Sequence, residues 1–120
     1  MARGAQTQAI PNSIAYPVAQ QTAVQTLAAS GAITIPGGIV HITLAGAAAV
    51  TLADPLVDGL KLEIYSTTAQ AHTLTLVSGL RGAGAGADIG TFGGAIADQV
   101  HLHSYGGYWW DSYNNNVTFA

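Results

Sequence analysis

From residue 24 onward the chain is built of short runs in which apolar and polar residues alternate, separated by Gly, Pro and Asp. Val40, Ile42 and Leu44 fall on one side of such a run and His41 and Thr43 on the other, and Leu60, Leu62 and Ile64 oppose Lys61, Glu63 and Tyr65. Leu74 and Leu76 oppose Thr73 and Thr75, and Val100 and Leu102 oppose His101 and His103. A period of two is that of a β-strand with one face buried. Half-buried strands of this kind belong with antiparallel pairing. Further strands are predicted over residues 24–28, 33–35, 50–52, 89–92, 108–111 and 117–119, with turns at Ser30-Gly31, Pro36-Gly37-Gly38, Ala45-Gly46, Asp54-Pro55 and Gly106-Gly107. No window keeps the i, i+3, i+4, i+7 spacing of a sizeable helix. The pattern predicts an all-β domain over residues 24–120, a sandwich or jelly-roll-like arrangement of roughly eight to ten short antiparallel strands.

Residues 1–23 break this pattern. Ile10, Ile14, Tyr16 and Val18 are scattered among Gln, Asn and Thr, and Pro11 and Pro17 favour extended backbone. The segment reads as an extended N-terminal arm that orders against a neighbour, with a strand of the domain's own sheet as the alternative. Ile14, Tyr16 and Val18 would share one face of such a strand, which makes them candidate contacts with a neighbouring subunit or another protein. The run Gly82-Ala83-Gly84-Ala85-Gly86 has too little side chain to pack, and residues 79–90 read as a loop.

Composition changes the picture most through charge. Charged residues make up 8% of the 120 residues, against about 25% in ordinary domains. A surface so poor in charge is best kept from aggregating by burial against partners, so a homo-oligomer is expected. The net charge of −3, with Arg3, Lys61 and Arg81 as the whole basic inventory, speaks against nucleic-acid binding. With no cysteine there is neither a disulfide framework nor a thiolate metal site. No run has the length of a membrane helix and the N-terminus lacks an apolar signal core, so the expectation is a protein made in the cytoplasm with no membrane partner.

Motifs for catalysis are missing: the Gly-Ala run is not a G-x-G-x-x-G, Lys61 follows no glycine loop, and no G-x-S-x-G occurs. The carboxylates Asp54, Asp58, Glu63, Asp88, Asp98 and Asp111 mostly adjoin turn residues, where Asp fixes turns by accepting backbone N–H bonds. The expectation is therefore no enzyme and no cofactor. His101 and His103, at i and i+2 of a strand, point to one face and read as neutral interface histidines, with a shared metal as the weaker alternative. His41 and His72 receive no role. Trp109 and Trp110 must point to opposite faces, so one fills the core while the other, with Tyr108 and Tyr113, faces outward as an interface anchor. A glycan-binding platform is the competing use of those rings.

Several stretches resemble a known group. Ala-Ile-Thr-Ile-Pro-Gly-Gly at 32–38, Val-Thr-Leu-Ala-Asp-Pro at 50–55, Leu-Lys-Leu-Glu-Ile-Tyr-Ser-Thr-Thr-Ala-Gln-Ala-His-Thr-Leu-Thr at 60–75, Thr-Phe-Gly-Gly at 91–94 and Tyr-Trp-Trp at 108–110 look like small virion proteins of tailed bacteriophages. The resemblance implies a capsid decoration or cement protein: mostly β, commonly trimeric, on the outer surface of the head, bridging major capsid proteins. It carries no residue set over position by position. A trimeric tail spike or fibre component, with His101 and His103 holding a metal, and a receptor- or glycan-binding module remain the alternatives.

Overall fold

The computed structural model describes residues 22–81 and 88–120, which form eleven strands in two sheets with no helix among them. In chain order these are β1 (Val24–Leu27), β2 (Gly31–Ala32), β3 (Gly38–Ile42), β4 (Ala49–Leu52), β5 (Lys61–Ser66), β6 (Thr73–Leu76), β7 (Leu80–Arg81), β8 (Ile89–Phe92), β9 (Gln99–Tyr105), β10 (Tyr108–Asn115) and β11 (Val117–Phe119). Sheet one has the order β1-β3-β5-β9-β10-β7 and sheet two the order β11-β8-β6-β4-β2. Most of the expected arm and the Gly-Ala run lie outside the described residues.

The chain changes sheet at almost every step. β1, β3 and β5 run parallel in sheet one, while β2, β4 and β6 run parallel in sheet two, so the N-terminal half winds as a flattened coil of three turns. This corrects the antiparallel expectation for half of the domain. Parallel neighbours need a crossover connection, and each strand of one sheet serves as the crossover for the other. Antiparallel pairing holds for β9 with β5 and β10 and for β8 with β6 and β11, and β7 joins β10 in parallel. The sandwich-like two-sheet architecture stands; its path is a coil closed by a hairpin.

The alternation read from sequence does place the core. Val40, Ile42, Leu62, Ile64, Val100 and Leu102 from sheet one face Val50, Leu52, Leu74, Leu76 and Phe92 from sheet two, all essentially inaccessible to water. Burying each such side chain contributes about 1.5–3 kcal/mol. Two expectations shift along the chain. The strand expected at residues 33–35 lies instead at Gly31–Ala32, although Ile33 stays buried and donates its N–H to the Thr51 carbonyl. Leu80–Arg81, assigned to the glycine loop, pairs with β10.

Turn chemistry fixes the path. Gly38 has φ +123°, and a Cβ there would collide with the Ala23 carbonyl oxygen, so only glycine lets β1 lie so close to the start of β3. Gly106 and Gly107, both at positive φ, make the tight hairpin turn between β9 and β10. Asp54 accepts bonds from the Ser78 N–H and hydroxyl, Asp58 from the Gly106 N–H, and buried Asp98 from the Ala95 N–H and the Asn116 side chain. These carboxylates tie turns together, as their neighbours in sequence suggested.

His72 is the notable buried polar group. Its Nδ1 accepts the Ala48 N–H at 3.0 Å, and its Nε2 lies 3.1 Å from the Thr68 hydroxyl, which itself donates to the Leu44 carbonyl. Because the Thr68 proton is committed to Leu44, Nε2 must carry the imidazole proton. Burial pushes the His72 pKa down, which keeps the ring neutral.

Candidate functional site

The outward side of sheet one collects most of the chemistry-bearing residues singled out from sequence. Strand register sets three rows across it: His41, Tyr65, Gln99 and Asn115; then Ile39, Glu63, His101 and Tyr113; then Lys61, His103, Trp110 and Arg81. Within and between rows the rings touch. His41 stacks on Tyr65 with centroids 5.5 Å apart, Tyr65 meets His101 edge-on at 5.7 Å, and His101 meets Tyr113 at 5.0 Å. His103 stacks on Trp110 at 6.5 Å, and the Arg81 guanidinium lies 3.9 Å above the Tyr108 ring. The result is an aromatic and histidine ladder over β3, β5, β9 and β10, with Arg81 of β7 at its edge.

A bulge completes it. Tyr108 and Trp110 share a face by strand parity, but Tyr113 belongs to the other parity and would point inward in a regular strand. The register with β9 slips between His101 and Leu102, leaving Ser112 unpaired, and this turns Tyr113 onto the outer side. Ser112 donates its hydroxyl proton to the His101 carbonyl. Beside the bulge lies an open cavity of about 390 Å³ bordered by Lys61, Glu63, His101, His103 and Ser112.

Hydrogen bonds hold the ladder in place. The Tyr65 hydroxyl donates to Glu63 Oε1 at 2.7 Å, and this bond to a carboxylate, with burial, raises the Tyr65 pKa. His101 Nε2 lies 2.8 Å from Gln99 Oε1 and 3.3 Å from the Tyr65 oxygen. Both neighbours are acceptors there, since the Tyr65 proton goes to Glu63, so His101 Nε2 is the donor. The Trp110 indole donates to the Tyr105 carbonyl.

The expected split of the tryptophans is what the fold contains: Trp109 is buried with its indole N–H on the Ala53 carbonyl, while Trp110 faces outward. Tyr108, Trp110, Tyr113, His101 and His103 all come together on one face. Ile14, Tyr16 and Val18 lie outside the described residues. No group of three or more His, Asp or Glu that could hold a metal occurs among the described residues. His41, Tyr65 and Arg81 are members of the ladder that sequence reading left without a role. Alternation had already put His41 and Tyr65 on outer faces; what was missing was the register that makes them neighbours.

Glu63 accepts the Tyr65 hydroxyl proton and His101 Nε2 donates to the Gln99 amide oxygen, and the stacked rings of His41 with Tyr65 and of His103 with Trp110 turn their faces to each other and their edges outward. A sugar platform presents ring faces. Neither the family models nor the curated proteins searched contain a match to this chain.

Proposed function

We propose that this protein is a structural component of a tailed-phage virion, a decoration or cement protein that forms a homotrimer and binds the outer surface of the head, where it bridges major capsid proteins. One observation carries the reading: a ladder of Tyr, Trp, His and Arg spans five strands on a body with 8% charged residues. Aromatic residues and Arg are enriched, and other charges depleted, at the centres of protein interfaces. The phage context rests on the sequence resemblance around residues 32–38, 50–55, 60–75 and 108–110. Large apolar side chains left in water at Val24, Val77, Ile89 and Ile96 add to the case for burial against partners.

The spike alternative needs His101 and His103 free to bind iron or zinc, yet His101 Nε2 already donates to Gln99. The test is co-sedimentation with tailed-phage heads assembled without their own decoration protein. Saturable binding that is lost on Trp110→Ala with Tyr113→Ala supports the proposal. Absence of binding by the folded wild-type protein overturns the decoration role.

A further inference from the structure

One end of the sandwich gathers exposed apolar side chains and separates charge by sign. β1, β3 and β5 are parallel and begin at this end, and β9, antiparallel to β5, finishes there. β4 and β6 of sheet two finish there as well: the Trp109 indole, at the start of β10, donates to the carbonyl of Ala53 just past β4, and Asp54 holds Ser78 just past β6. Leu56 at the tip is 92% exposed, its neighbour Val57 60%, and Val77 beyond β6 70%. Large apolar groups gathered in this way mark a surface that another molecule covers.

Charge indicates which molecule. On the sheet-one side of this end stand Lys61 and Arg81, both exposed and in one row with His103 and Trp110. Glu63, one row away, is taken by the Tyr65 hydroxyl, and Asp58 by the Gly106 N–H of the hairpin. On the sheet-two side Asp54 and Asp88 are exposed and flank Val77, Asp54 through its bonds to Ser78 and Asp88 through its carbonyl on the Leu76 N–H. Lys61 and Arg81 are the only Lys and Arg among the described residues, so the sheet-two side carries acids alone.

This separation selects between two ways of joining copies. In a two-fold pairing of ladders, Lys61 and Arg81 of one copy share the buried face with those of the other, like charge with like. A heterologous contact, with the sheet-one side of one copy on the sheet-two side of the next, sets opposite charges together. Because both sides belong to the same end, copies touching there converge on an axis and close a ring, whereas contact across whole opposite faces would stack them into an open filament.

We infer that three copies meet head to tail at this end, Lys61, Trp110 and Arg81 of each against Asp54, Val77 and Asp88 of the next, with Leu56 and Val57 turned toward the three-fold axis. The inference rests on the homotrimer proposed above and names the surface that receives the ladder.

Mixing two variants tests it. Val77→Arg with Asp88→Arg spoils the receiving side, and Trp110→Ala with Tyr113→Ala spoils the ladder. Each variant alone should keep its circular dichroism signature and run at the single-chain mass by light scattering. A concentrated equimolar mixture should form a species of two chains, about twice 12.2 kDa, because one good contact remains and the ring cannot close. A wild-type trimer that survives Val77→Arg with Asp88→Arg, or two folded monomeric variants that stay apart when mixed, overturns the inference and leaves the trimer standing; a wild-type monomer overturns both. Leu56→Asp separates assembly from folding, since a side chain 92% exposed contributes little to the isolated fold. It should weaken trimer association roughly tenfold or more, and unchanged association overturns the placement of this end at the axis.

Discussion

Replacing His72 is expected to cost about 3–6 kcal/mol when the replacement is Ala, with two contributions. Removing a fully buried ring that packs edge-on against Phe92 at 6.1 Å leaves a cavity, worth about 2–3 kcal/mol at a site of this size. Leaving the Ala48 N–H without its acceptor adds about 1–3 kcal/mol. At roughly 4 °C per kcal/mol for a domain of this length, the melting temperature should fall by about 12–24 °C. Asn is the informative second substitution, because its side-chain oxygen can sit where Nδ1 accepts and it does not titrate. The sign of the pH effect follows from the direction of the shift: burial lowers the folded-state pKa below the usual 6.5. Above about pH 6.5 the stabilisation is complete; as pH falls from there through the folded pKa, the unfolded chain takes up the proton first and stability is lost, with a slope of at most about 1.4 kcal/mol per pH unit. Urea denaturation of wild type and His72→Asn at a series of pH values between 7.5 and 5 reads this directly. The wild type should lose stability over that range more steeply than the variant, whose residue 72 does not titrate. Parallel curves would refute the assignment of His72 as a buried neutral staple.

Gly38→Ala should unfold or severely destabilise the domain, because the added methyl has no space against the Ala23 carbonyl and the backbone is held at φ +123°; circular dichroism and urea melting check it. Asp98→Ala should cost about 2–4 kcal/mol by leaving the Ala95 N–H and the Asn116 amide without their charged acceptor, read by the same denaturation curves. His101→Ala with His103→Ala should change stability by only about 1–2 kcal/mol, and the wild type should carry no stoichiometric iron or zinc by elemental analysis.

Much of this architecture was legible in the sequence for a simple reason: each strand has one face in the core, so the period of two in residues 40–44, 60–65, 73–76 and 100–103 marks both the strands and their buried sides. Pairing direction was not legible. A half-buried strand looks the same whether its neighbour is parallel or antiparallel, and the parallel coil became possible only because every crossover is itself a strand of the opposite sheet. The ladder was half visible. Trp110 and the histidine pair stood out by residue type and spacing, whereas His41, Tyr65 and Arg81 join through register, a property of pairs of strands that one strand does not encode. Tyr113 reached its place through the bulge at Ser112, which nothing in local composition announces. His72 was passed over because an isolated histidine beside a strand gives no sign of the loop amide it binds.

The central claim, that the ladder on sheet one is an assembly face, is tested most directly by the solution mass of the purified protein from size-exclusion chromatography with light scattering. The expected result is a species of three times the chain mass of 12.2 kDa at micromolar concentration, reduced to the single-chain mass by Trp110→Ala with Tyr113→Ala without loss of the circular dichroism signature. A well-behaved wild-type monomer, or an oligomer indifferent to both substitutions, would contradict it.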